Sequence, residues 1–276
     1  PFPVHAQVVP YVTTDRTQFY DPAYRAADYA LMSRWGRSGV RAFGLWEYAE
    51  GDAFVVPRVP HAMLAEAVRE GWWRGARGYM GECGPHAGFD AFKVWMLAQL
   101  LWEPDRPLAE LEDDFFNGWY GPAAEPMRRF FARCEAQWMA QSGPPWWIKF
   151  YRQQDQPLLF PPEVCRELRA LLDEAAEAAA GKAEGRRLKA EVTRDTNPMA
   201  PSGAEGGRSG TLCVPDGTRS VPLRGGARAG AAAIDNRQSQ IGARIDLTSR
   251  AFAVTEAAVA FDVVRRRLGE VADTLP

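Results

Sequence analysis

Apolar positions along this chain follow two different periods. Through about residue 86, short apolar runs alternate with stretches where apolar side chains recur every three or four residues. That alternation predicts strand and helix units in succession. Val4-His5-Ala6-Gln7-Val8-Val9-Pro10-Tyr11 reads as a first strand, and a helix follows from about Pro22 to Ser38, with Tyr24, Ala27, Leu31 and Trp35 on one face. Gly36 and Gly39 end it. Val40 to Trp46 predicts a second strand, Pro60 opens a helix whose inner face is Met63, Leu64, Ala67 and Val68, and Ala76 to Met80 gives a third strand. The second and third strands lie about 35 residues apart, the length of a β/α unit with ordinary loops.

After Gly84 only the helical period persists. Phe89 to Glu103 carries Phe92, Trp95, Met96, Leu97, Leu100 and Leu101, an apolar surface broad enough to be buried on most sides. Pro107 to Trp119, Pro122 to Gln141 and Pro161 to Ala180 predict three more amphipathic helices. From about Asp195 to Asp246 aromatic residues vanish, and Gly, Pro, Ser and unpatterned Arg take over. Such a segment buries too little apolar surface to offset its ordering entropy. It reads as disordered or as the product of a reading-frame error in a GC-rich gene. Leu247 to Gly269 resumes a helical pattern with Phe252, Val259, Val263 and Leu268 on one face.

These patterns predict four regions. Residues 1–86 are the β/α units, 87–192 a helical domain, 193–246 the biased segment, and 247–273 a terminal helix packing on the helical domain. The fold class expected is α/β, the last three or so strands of a TIM-type (β/α) barrel followed by an α-helical domain. Three strands cannot close an eight-stranded barrel. The chain therefore reads as part of a longer product, and Pro1 in place of an initiator methionine agrees. A signal for secretion or export to the periplasm would then lie out of view.

Composition narrows the chemistry. A net charge of -2, a pI near 6.0 and no Walker loop, dinucleotide fingerprint or GxSxG argue against nucleic-acid partners and against cofactor binding. No stretch approaches the roughly 18 apolar residues of a membrane span. The four cysteines, Cys83, Cys134, Cys165 and Cys213, show no CxxC spacing, and with three histidines no metal set is expected. All ten tryptophans fall between Trp35 and Trp147, and Trp35, Trp95, Trp102 and Trp119 sit at packing positions among Leu, Met and Phe.

Two carboxylates stand out. Glu47, in Gly44-Leu45-Trp46-Glu47-Tyr48, and Glu82, in Gly78-Tyr79-Met80-Gly81-Glu82-Cys83-Gly84, each close a predicted strand. Barrel active sites lie at the C-terminal ends of the strands, and glycosidic cleavage uses paired carboxyl groups as general acid and base. Glu47 and Glu82 are therefore the candidate catalytic pair. Flat rings stack on the C–H faces of sugars, so Trp46, Tyr48, Tyr79 and Tyr11 are candidate carbohydrate contacts. Glu50, His86 and Asp15 join them as polar contacts. The bland alternative is a set of salt bridges with Arg41, Arg58 or Arg77 at the strand ends.

A family resemblance rests on Lys93-Val94-Trp95-Met96-Leu97-Ala98-Gln99-Leu100-Leu101-Trp102-Glu103-Pro104-Asp105, then Asp113-Asp114-Phe115-Phe116, then Trp119-Tyr120-Gly121-Pro122-Ala123-Ala124. These residues resemble the bacterial proteins called domain of unknown function 4838, which are similar to glycoside hydrolases such as α-glucuronidases and β-hexosaminidases. The resemblance implies action on a glycosidic bond of a poly- or oligosaccharide. Its alternatives are a non-catalytic carbohydrate-binding relative and a helical protein-interaction scaffold.

Overall fold

The computed structural model describes residues 4–5, 7–49, 54–83, 87–142, 153–195 and 226–273. In chain order the elements are β1 (Tyr11–Thr14), a 3-10 turn at Arg16–Gln18, α1 (Pro22–Gly36), β2 (Phe43–Tyr48), α2 (His61–Trp73) and β3 (Ala76–Glu82). Five further helices follow: α3 (Ala87–Trp102), α4 (Leu108–Tyr120), α5 (Ala124–Met139), α6 (Pro162–Asp195) and α7 (Gly226–Asp273).

The strands are parallel and lie in the order β1-β2-β3, with α1 and α2 as the crossovers that parallel pairing requires. The expected barrel sector is corrected by this topology. Every strand of a barrel has a neighbour on both sides, whereas β1 and β3 each pair on one side only among the described residues, leaving an open three-stranded sheet in a largely helical chain.

The first strand also moves. Among the described residues from Val4 to Val9 none lies in a strand, and Val8 N–H instead closes a turn on His5 C=O at 2.9 Å. The strand begins where β2 offers a partner, with Gly44 N–H donating to Pro10 C=O at 2.9 Å and Tyr11 in register with Gly44. Strand character in a sequence becomes a strand only against a partner.

Alternation along the strands separates two faces. One buries Val12, Phe43, Leu45 and Ala76 against Met32 of α1, with Leu45 also meeting Gly71 of α2. On the other, the Tyr11 ring lies across Gly44 and Gly78, where a Cβ would come within 2.4 and 2.8 Å of it. The larger core runs through α2 to α7. Phe92 meets Phe115 and Phe116 with centroids 5.0 and 5.1 Å apart, and Phe130 meets Phe252 edge-on at 5.6 Å. Trp102, expected in that core, is 91% exposed at the end of α3, because Pro104 stops the helix before another element covers it.

The biased segment divides. Residues 196–225 lie outside the described ones, but helix α7 begins at Gly226, about 20 residues before the expected start. Ile241 and Ile245 anchor this extension, both buried in the main core.

Candidate functional site

At the C-terminal edge of the sheet, β1 leads into a cap and then into a buried arginine. Asp15 accepts from Thr17 N–H at 3.2 Å and from Thr17 Oγ1 at 2.6 Å, which starts the 3-10 turn and turns the chain back over the strand ends. Arg16 then points inward. Its Nε donates to Asp28 Oδ2 at 2.9 Å, its Nη1 to Glu47 Oε2 at 3.2 Å and to Trp46 C=O at 3.1 Å, and its Nη2 to Val12 C=O at 3.3 Å. The Arg16 backbone N–H adds a bond to Glu47 Oε1 at 3.1 Å. Asp28 is completed by the Thr14 hydroxyl at 2.7 Å.

A second guanidinium stands beside the first. Arg58 Nη2 pairs with Asp15 Oδ1 at 2.7 Å, while its backbone carbonyl accepts from Lys93 Nζ at 2.9 Å. Lys93 also pairs with Asp90 at 2.8 Å. All these charged groups are buried, so unlike surface pairs they are not screened by water.

Charge counting decides which group is under strain. Around Arg16 and Arg58 stand three carboxyl groups, Asp15, Asp28 and Glu47, so full ionisation would leave one uncompensated negative charge in the interior. Burial pushes Glu47 up from 4.5 to about 7, with Arg16 opposing and Asp15 adding to the rise. Glu47 is the member that holds a proton near neutral pH. Burial works against the charge on Arg16, but Glu47 and Asp28 beside it raise its pKa.

Tyr79 shares the Glu47 face. Its buried hydroxyl has no hydrogen-bond partner among the described residues, and burial, then the Glu47 charge, raises its pKa. Gly81 stands in register with Glu47, and a Cβ there would meet Tyr79 Cε1 at 3.0 Å and Cys83 Sγ at 3.7 Å. The missing side chain lets Tyr79 fold over the strand.

The other candidate acid lies on the opposite face. Glu82 is in register with Tyr48, one step from the Glu47–Gly81 pair, so the pleat directs Glu47 inward and Glu82 to the open side. There the Trp46 indole N–H donates to Glu82 Oε1 at 2.7 Å. Tyr11 and Met80 occupy the same face at 43% and 48% exposure, and Trp46, Tyr48 and Glu82 are half-buried.

The structure thus sets Trp46, Tyr48, Tyr11 and Glu82 on one face and Glu47 and Asp15 in a buried network on the other, with Tyr79 on the Glu47 face. Glu50 and His86 lie outside the described residues. Of the arginines considered as salt-bridge partners, Arg58 pairs with Asp15, and Arg77 lies over the Trp72 ring at 4.0 Å. Arg16 and Asp28 were not anticipated. A readable signal existed for Asp28, which is four residues before the buried Met32 on the same face of α1, where a lone carboxylate needs a cation. Among the described residues, no group of three His, Cys, Asp or Glu side chains is arranged to hold a metal ion, and no helix is long and apolar enough to cross a membrane.

Comparison with known proteins adds one finding. Residues 14–133 match the family model described as Domain of unknown function (DUF4838). Over this span the chain is similar to that family. No curated protein and no solved structure matches. The DUF4838 span holds Arg16, Asp28, Glu47, Arg58, Glu82 and Lys93, hence both the buried network and the open face, and it stops short of α6 and α7. Lys93, one of the residues that carried the resemblance, is the ammonium that ties α3 to Arg58.

Proposed function

We propose that the open face of the sheet is a carbohydrate-binding surface. The observation that carries this reading is the Trp46–Glu82 pair, an indole fixed by a 2.7 Å hydrogen bond to a carboxylate, with Tyr11 and Tyr48 on the same face. Aromatic rings take the C–H side of a pyranose, and the free lone pairs of Glu82 accept its hydroxyls. A neutral or amino sugar fits this face better than a uronic acid, whose carboxylate would meet Glu82.

Binding explains the arrangement better than hydrolysis does. Cleavage takes two carboxyl groups on either side of one bond, and Glu82 is the sole carboxylate of this face among the described residues. Glu47, with a pKa suited to acid–base work, is turned inward and enclosed by Arg16.

The reading is tested by titrating the chain with cello-, xylo-, malto- and chito-oligosaccharides while following tryptophan fluorescence and heat. One series is expected to bind, and Trp46→Ala and Glu82→Gln each to weaken it by about 10-fold or more. Absence of binding across the panel, or binding indifferent to both substitutions, rejects the proposal. Release of reducing ends that Glu82→Gln abolishes would replace binding by hydrolysis.

A further inference from the structure

Helix α7 has apolar residues on two sides. Ile241, Ile245, Phe252 and Val259 face inward and are buried among the other helices. A second stripe faces outward: Leu247, Val254 and Phe261 stand seven residues apart and are 45%, 54% and 70% exposed. Ala257 and Val264 fall between and after them, both exposed, so the stripe has the 3-4-3-4 spacing of a coiled-coil seam from 247 to 264. Ala253, Ala258 and Ala260 flank it, and such small side chains permit close approach of a second helix.

The seam itself is better complemented in one direction than in the other. In an antiparallel pair centred between Val254 and Ala257, Val254 meets Ala257 of the second copy and Leu247 meets Val264. Arg250 then lies against Phe261, a cation over a ring. Asp246 comes opposite Arg267 at the flank, joining unlike charges at both ends of the pair. A parallel pair would instead set Arg250 against Arg250, a like-charge contact inside the seam.

We propose that the chain forms an antiparallel homodimer through the outer face of α7. The seam is short for a stable interface, so the association is of the weak, reversible kind. It is independent of the carbohydrate surface, which lies on the sheet.

Sedimentation of the full chain from 1 to 200 µM is expected to show a reversible monomer–dimer transition. Phe261→Glu and Val254→Glu each weaken it about 100-fold while far-UV circular dichroism stays unchanged, since both side chains are exposed. If Phe261→Glu were to unfold, Val264→Lys provides the same test. Asp246→Arg weakens the dimer, and Asp246→Arg with Arg267→Asp restores it. The proposal is overturned by a chain that stays monomeric at 200 µM, whether another segment or a different protein covers the stripe. It is equally overturned by a dimer that tolerates the glutamates, or by a charge swap that fails to restore association.

Discussion

Glu47 is one of three carboxyl groups sharing two buried guanidinium groups, and it bears the resulting imbalance. With its pKa raised from the ordinary 4.5 to about 7, the folded chain retains a proton that the unfolded chain releases. The stability this contributes is complete below pH 4.5 and is lost as pH rises through about 7. Each pH unit in that window is worth up to about 1.4 kcal/mol. Glu47→Gln keeps the shape and removes the titration, so the variant should gain on the wild type as pH rises from 5 to 7. Urea melts of both proteins at successive pH values measure this, and a constant difference between them contradicts it. His61 works in the opposite sense and cancels in that comparison. Burial first, then Lys93, holds His61 down near 3, so its contribution is present above pH 6.5 and falls away on acidification. Identity was legible at this scale and environment was not. Glu47 and Glu82 stand out alike in the sequence, but among the described residues only Glu47 has a guanidinium against it.

Among the elements, the three strands depend on glycine where an aromatic ring crosses them. Tyr11 lies flat over Gly44 of β2 and Gly78 of β3, and a methyl group at Gly44 would sit 2.4 Å from a ring carbon. Gly44→Ala is expected to cost about 1–3 kcal/mol through overpacking. Adding Tyr11→Ala should recover part of that loss, because the clash is with the ring and not with backbone. A double variant no more stable than Gly44→Ala alone contradicts this account. Helices α1 to α5 lie within about two residues of where their 3–4 spacing sets them, since each buries a face wide enough to show in the sequence, whereas α6 continues past Ala180 to Asp195. The first strand starts later than its sequence pattern because Val8 and Val9 have strand propensity but no partner strand among the described residues, and both are about half exposed. Helix α7 starts before its sequence pattern shows, because Gly and Arg mask the two isoleucines that anchor it.

Across the whole molecule, the sheet side and the helices are joined through α2 and through side chains that reach from one to the other. The sheet side has a small core of its own, Val12, Met32, Phe43, Leu45 and Ala76, while the helices share a much larger one. Trp138 of α5 reaches across to donate its indole N–H to Thr17 C=O at 2.7 Å, and Lys93 does the same for Arg58. The DUF4838 match covers the sheet and the first helices, yet α7 beyond it fills their core through Phe252, which is fully buried against Phe130. Phe252→Ala should therefore destabilise the whole chain by about 3–5 kcal/mol. Tryptophan fluorescence, whose reporters lie outside α7, is expected to shift in the same transition as far-UV circular dichroism. Two separate transitions in the variant would show that α7 is energetically detached.

The sequence by itself determined the element types, the helical region, the family resemblance and the aromatic-acid grouping at the strand ends. These follow from local spacing, which records how each segment buries its own apolar side. Tertiary structure alone decided that the sheet is open, that Glu47 turns toward Arg16 and Glu82 toward Trp46, and that α7 closes the helical core. The pleat fixes that neighbouring residues point apart. Which direction is interior depends on where α1 and α2 pack, and no local pattern in β2 or β3 encodes that.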